Sequence, residues 1–329
     1  MNDNLRVRVA ADGTLSQDTR FLIVGLGLIG GSYADALTAR GYDVSAITKD
    51  ASSIDYALSH HMIARGTTAV DPALLKAADF IVFGLYPGVL VDWLEHDGEH
   101  IAPGTLVTDV TGVKEEIVPA VRARLLEGVS FVGSHPMAGR EVSGVENATA
   151  RLLTEANFLV TPTPENTPEE VEAVAALGRT LGVAKVSFLT PAAHDDMIGY
   201  VSQLTHVIAM ALMNANATEE LVDYTGDSFR DLTRIAHIND RMWSDLFFRN
   251  REALLGHIDR FSEEIATIRE TIARRDEAGL RALMQKSTAR RDAFNRRARD
   301  EVSAGYRTHL PDPLTPTGRV EGQVEGENA

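Results

Sequence analysis

Short apolar runs alternate with amphipathic stretches through the first half of the chain, and the alternation stops near residue 190. Phe21-Leu22-Ile23-Val24 is an unbroken apolar run, the pattern of a strand covered on both faces. A glycine-rich turn follows, then a helical stretch over 28–39. Residues 44–47, 80–83, 106–109 and 129–133 read as further strands, with 149–153 and 168–181 helical between later ones. Strands alternating with helices in this way predict an α/β domain with a doubly wound parallel sheet over residues 20–189.

Beyond Pro191 the strand pattern gives way to helical periodicity over 192–215, 218–222, 227–237, 240–274 and 276–303. Asn239 or Asp240 suits the N-cap of the long fourth helix, and Asp276 that of the last. Residues 190–304 are therefore expected to form an all-helical domain concerned with substrate and dimerisation. Two domains suit 329 residues, since single cores stop growing at about 250–300. Residues 1–19 read as an arm, either a small hairpin closed at Asp12-Gly13 or a disordered tail. Residues 305–329 are rich in Pro, Gly and Glu and read as a disordered tail.

Composition narrows the function. With 47 acidic against 32 basic residues the net charge is −15, a field that repels nucleic acid and anionic lipid. The one basic concentration, Arg290, Arg291, Arg296, Arg297 and Arg299, is interleaved with Asp292, Asp300 and Glu301 and reads as a solvated or interface face. The absence of cysteine removes disulfides, thiolate catalysis and cysteine-based metal sites, and no Asp/Glu/His spacing suggests a metal. No apolar run approaches the ~20 residues of a membrane span, and the polar N-terminus does not read as a signal peptide. A cytoplasmic protein acting on a small molecule is expected.

Gly25-Leu26-Gly27-Leu28-Ile29-Gly30 is a GxGxxG directly after a strand and opening a helix. The first glycine permits the tight turn and the second lets backbone approach a pyrophosphate. The third lets helix and strand pack closely, and the helix N-terminus faces the negative charge. This predicts a Rossmann-type site for NAD(P). At the end of the second strand, where an acid would hold the ribose 2′-hydroxyl of NAD, stand Thr48 and Lys49. A hydroxyl donor and a cation favour the 2′-phosphate of NADP, with Asp50 as the NAD ligand if the strand ends two residues later.

Three loops fall at expected strand ends: 84–87, 108–114 and 133–144. The third holds His135-Pro136-Met137-Ala138-Gly139-Arg140-Glu141. A histidine beside a nicotinamide can accept a hydroxyl proton as hydride leaves; equally, it can merely cap a loop. The 135–144 stretch resembles the prephenate and arogenate dehydrogenase family. So do residues 190–212, with Pro191, His194-Asp195, Ser202 and His206, and residues 226–250, with Asp231, Thr233-Arg234-Ile235-Ala236, Met242-Trp243 and Asn250. The resemblance runs in order over about residues 20–300.

It implies oxidative decarboxylation of prephenate to 4-hydroxyphenylpyruvate, or of arogenate to tyrosine, by a homodimer. His135 corresponds to the catalytic histidine and Arg234 to the arginine that binds a substrate carboxylate. Glu141 and Asp231 match acidic residues that gate the pocket; Ser202, His206 and Trp243 match pocket-lining positions. The family commonly has serine in the loop after the fifth strand; here Gly112 stands there, and Thr111 is expected to substitute beside the cofactor. Gln203 and Thr205 also depart from the family pattern.

On residue spacing alone, Asp195, Ser202 and His206 share a stripe about 40° wide on an ideal helix. Arg234 offers a permanent anion fork, with an i,i+3 ion pair to Asp231 as its structural alternative. On its own, Trp243 on a helix is more often core than ligand contact. β-Hydroxyacid dehydrogenases and pyrroline carboxylate reductases share the architecture but give no reason for the 135–144 stretch. A nucleotide-sensing protein without catalysis would tolerate loss of His135.

Overall fold

In the computed structural model, which describes residues 4–154 and 156–303, the first half is a parallel sheet wrapped by helices. It runs β1 (Arg20–Val24), α1 (Leu28–Thr38), β2 (Asp43–Ile47), α2 (Ala51–Ser59), β3 (Arg65–Thr67), α3 (Pro72–Ala77), β4 (Phe80–Phe83), α4 (Pro87–Asp97), β5 (Leu106–Asp109), α5 (Ile117–Arg122) and β6 (Ser130–Phe131). The six strands pair in the order β3-β2-β1-β4-β5-β6, all parallel. Alternate residues feed two cores: Phe21, Ile23, Phe80 and Val82 face one, Leu22, Val24, Ile81 and Phe83 the other. That double burial is why these strands read as unbroken apolar runs. Strand order reverses at β1 and β4, so their carboxyl ends, Gly25 and Gly84, flank the crevice where such sheets take ligands.

The expected strand over 129–133 is two strands in different sheets. After β6, Val132 crosses out and β7 (Gly133–Pro136) pairs antiparallel with β8 (Asn157–Thr161), which pairs parallel with β9 (Lys185–Phe188). Gly133 permits the departure, because a Cβ there would lie 2.5 Å from Thr161 Oγ1. The nucleotide-binding half thus carries a second, three-stranded mixed sheet besides the expected parallel one. His135 lies within β7, opposite Leu159, rather than in a loop. The short α6 (Arg151–Thr154) precedes β8, and α7 (Pro168–Leu181), with a Thr167/Glu170 capping box, lies between β8 and β9.

Residues 4–19 are packed instead of forming a loose arm. A turn at Asp12-Gly13, with Gly13 at φ +81°, brings Val9 opposite Leu15. Leu15 is 2% exposed, with its N–H donating to Thr180 Oγ1 and its carbonyl accepting from the Tyr42 hydroxyl.

The helical half comprises α8 (Pro191–Ile198), a π-helical turn (Gly199–Gln203), α9 (Leu204–Asn214), α10 (Asp227–Thr233), α11 (Asp240–Arg249), α12 (Arg251–Ala273) and α13 (Glu277–Ser303). The single helix expected over 240–274 is broken at Asn250 (φ −112°, ψ 29°), whose buried amide is drawn to α8 and the π turn. Asn239 caps α11 as expected, accepting from Met242 N–H. The tail expected over 305–329 and the side chain of Arg299 lie outside the described residues. Among those described, no helix is long and apolar enough to cross a membrane.

Candidate active site

The turn between β1 and α1 is shaped for close approach. Gly25 adopts φ +99°, and a Cβ on Gly30 would fall 1.9 Å from the Gly25 carbonyl oxygen, so helix and turn meet backbone to backbone. A Cβ on Gly27 would meet nothing within 4 Å. Gly27 caps α1 with no side-chain bond and the first turn holds no acid, so the helix's N–H groups face open space. A pyrophosphate fits that cradle. Leu26 contributes backbone alone, since its side chain is 3% exposed in the core; Leu28 and Ile29 are half-buried at the helix entry. At the end of β2 Thr48 is half-buried and Lys49 exposed. Asp50 caps α2, its carboxylate accepting from Ser52 and Ser53 N–H at 3.2 and 3.1 Å and from both hydroxyls.

At the end of β5 sits a wholly buried ion pair, Lys114 Nζ to Asp109 Oδ2 at 2.8 Å. Thr111 belongs to it: its hydroxyl donates to the Asp109 carboxylate, and its carbonyl accepts from Lys114 Nζ at 2.6 Å. Thr111 is 3% exposed, and its hydroxyl is engaged by the buried Asp109 carboxylate. Gly112, beside it, leaves room between Leu246 and His135.

His135 is half-buried, its Nδ1 3.0 Å from His194 Nε2. His194 Nδ1 lies 2.7 Å from Asp195 Oδ1, and Asp195 accepts the N–H groups of Lys114 and Glu115, each at 2.8 Å. Burial pushes both imidazoles well below the ordinary histidine range. For His135 the neighbouring His194 and then Lys114 add to it; for His194 Lys114 adds and Asp109 opposes. Burial raises Asp195, against the two backbone bonds.

A second cluster adjoins the first through α11. The His206 ring lies against Trp243, centroids 3.7 Å apart and tilted 31°. Leu246, beside Gly112, is one helical turn further along α11, on the same face as Trp243. Burial lowers His206, and Glu141 and Arg234 are both close enough to act on it. Arg234 pairs with Glu141, not with Asp231, which sits exposed on α10. The π turn adds backbone between Asp195 and His206, so the ideal-helix stripe does not survive. Asp195 turns to the nucleotide half, and it is the carbonyl of half-buried Ser202, not its hydroxyl, that meets His206 Nδ1, at 2.8 Å. Among the described residues no group of three or more His, Asp or Glu is placed to hold a metal.

Residues 33–187 match the family model for the prephenate dehydrogenase nucleotide-binding domain, and residues 190–286 that for the prephenate dehydrogenase dimerization domain. The chain belongs to the prephenate dehydrogenase family. It is accordingly a nicotinamide-dependent oxidoreductase. A prephenate dehydrogenase of Bacillus subtilis is 28% identical over 304 residues, covering 90% of this chain and 81% of that protein. The structure of prephenate dehydrogenase from A. aeolicus in complex with hydroxyphenyl propionate and NAD+ superposes with a TM-score of 0.77 at 29% identity, covering 84% of this chain and 98% of that one. Synechocystis arogenate dehydrogenase gives 0.72 at 26%, covering 84% and 100%.

Some residues of this family member's site escaped the sequence reading. Asp109 and Lys114 form a buried ion pair within the β5 loop, and the buried amides of Gln203 and Asn250, named from the sequence, bond to each other across 47 residues. His194 and Asp195 were legible as a motif but not as neighbours of His135, 59 positions away. Their signal was a pair of polar residues opening an otherwise apolar helix.

Proposed function

We propose that the protein oxidatively decarboxylates prephenate to 4-hydroxyphenylpyruvate, with His135 as base and Arg234 as carboxylate anchor. The observation that carries this reading is the setting of His135. Its Nδ1 is occupied by His194 while the ring stays half-exposed, which leaves Nε2 for the substrate hydroxyl. The nicotinamide ring, when bound in the crevice above β1 and β4, supplies the hydride acceptor. His135 Nε2 takes the hydroxyl proton as the ring carbon loses its hydrogen with two electrons. The bond to the ring carboxylate then breaks, CO2 departs, and its electron pair aromatises the ring. His135 returns its proton to the ring oxygen, so no net proton is released. Positioning carries most of the rate, which suits a site of one base and one anion fork.

Arg234 meets Glu141 through an exposed pair, and such pairs are weak enough to exchange for a substrate carboxylate. His206 and Trp243 form the wall behind it, and Asp231 and Ser202 lie at its margins.

The same reading assigns NADP+ at least equal standing with NAD+. Asp50 is spent on its helix cap, whereas Thr48 and Lys49 offer a donor and a cation to a 2′-phosphate. The working unit is a homodimer built on the helical half, acting in the cytoplasm where oxidised nicotinamide dinucleotide is supplied. Purified protein is mixed with prephenate or arogenate and with NAD+ or NADP+, and the reduced-nicotinamide absorbance followed. Turnover of prephenate is expected; turnover of arogenate alone would transfer the reading to the aminated substrate, and turnover of neither would end it.

A further inference from the structure

We infer that His194 and Asp195 are positioning residues that lock His135 in the tautomer carrying its proton on Nδ1, through the chain Asp195–His194–His135. The inference rests on the role of His135 proposed above and extends it to residues that touch no substrate.

The argument is one of donors and acceptors. Both Asp195 oxygens accept backbone N–H groups, from Lys114 and Glu115, so the carboxylate is held as an acceptor. Its neighbour at 2.7 Å, His194 Nδ1, therefore donates. A neutral His194 with its proton on Nδ1 presents a bare lone pair at Nε2. That lone pair faces His135 Nδ1 at 3.0 Å, so His135 must donate there. The only unprotonated nitrogen left on His135 is Nε2, the one a substrate hydroxyl can reach. Without the chain, His135 would be free to adopt the opposite tautomer, which free imidazoles prefer and which cannot act as base from Nε2.

His194 is wholly buried and is pushed well below the usual histidine range by that burial and by Lys114, which keeps it neutral and the direction of the chain fixed. When His135 takes up a proton, its Nδ1–H stays on His194, and the new charge is shared towards Asp195. On the β5 side Gly112, whose Cβ would lie 3.9 Å from His135 Cε1, brings no side chain to the ring.

The test uses the full-length chain labelled with 15N-histidine, the His135 signal being assigned by its loss in His135→Asn. In the wild type His135 is expected with Nδ1 protonated and Nε2 bare. His194→Gln, whose amide can serve both neighbours, should keep that state, and His194→Ala should convert it towards Nε2–H. A wild-type His135 protonated on Nε2 overturns the inference. In turnover, His194→Ala should lower kcat roughly 10- to 100-fold, the cost of a hydrogen bond to a charged group. KM and cofactor affinity should stay within about twofold. Combined with His135→Asn it should cause no further loss, because His194 acts only through His135; an equal loss on that background makes its role merely structural and sinks the relay. Should the alanine variant fail to fold, His194→Asn, which reaches Asp195 but stops short of His135, replaces it with the same expectations. If neither prephenate nor arogenate is turned over by the wild type, the functional reading fails, while the tautomer signal still decides the relay.

Discussion

In the role proposed for it, His135 is a base made available by burial. Its lowered affinity for protons means that the reactive form is lost only as pH falls through a value well below the ordinary histidine range. The acid limb of kcat/KM is therefore expected below about 6.5, and a limb above that value would contradict the assignment. Stability has the same sign. His135 and His194 bind protons more readily unfolded, so the fold should lose stability as pH drops from about 6.5 through their depressed folded values. His135→Asn should reduce kcat by about 10²–10⁴ with cofactor affinity nearly unchanged. Arg234 is a different kind of residue: 64% of its side chain is exposed, so it adds little to the fold. Arg234→Gln should raise KM about tenfold or more at constant Tm. A fall in Tm with KM unchanged would make it a structural residue.

Among the elements, the legible parts were those whose environment repeats along the chain. The strands β1, β4 and β5 announced themselves because both faces are apolar, and α7 because its cap and its terminal Gly182 bracket an amphipathic face. What could not be read depended on single long-range contacts. The break at Asn250 exists because its amide serves Asp195 and Gln203, and the split between β6 and β7 because Gly133 comes up against Thr161. Periodicity carries no trace of either. In the candidate site, Gly25 to Gly30 stood out because the turn demands glycine, whereas the roles expected of His135 and Arg234 came from the family resemblance. The bond of the Thr111 hydroxyl to Asp109 could not be read, because a hydroxyl on a loop does not reveal its partner. At the β2–α2 junction two neighbours differ: Asp50 is held in the helix cap, and Lys49 stands exposed before it. Asp50→Ala should lower Tm without altering coenzyme preference. Lys49→Ala should weaken NADP+ binding selectively; an unchanged NADP+ affinity together with strong wild-type preference for NAD+ would mean the 2′-phosphate reading is wrong.

At the scale of the molecule, one face of α12 is apolar and exposed among the described residues. Phe261, Ile265, Ile268 and Ile272 are all more than a third exposed and recur at helical spacing on one stripe. A second copy covering it accounts for so much exposed apolar surface on one helix. Ile265→Glu should shift the mass in light scattering from two chains to one, and a variant that stays at two chains would place the interface elsewhere.

The contact between Asp195 and the Lys114 and Glu115 backbone has a consequence for how the cleft works. It ties the domain of residues 190–286 to that of 33–187 next to His194, the neighbour of His135, and Arg249 with Glu116 adds a second stitch close by. A hinge through that seam would break the Asp195 contacts that hold His194 against His135. The free lip is the opposite one, where Glu141 and Arg234 meet across the domains in a pair open to water. On the role proposed for Arg234, substrate entering the cleft would have to part this exposed ion pair. Salt should speed that entry while leaving the chemistry at the seam untouched.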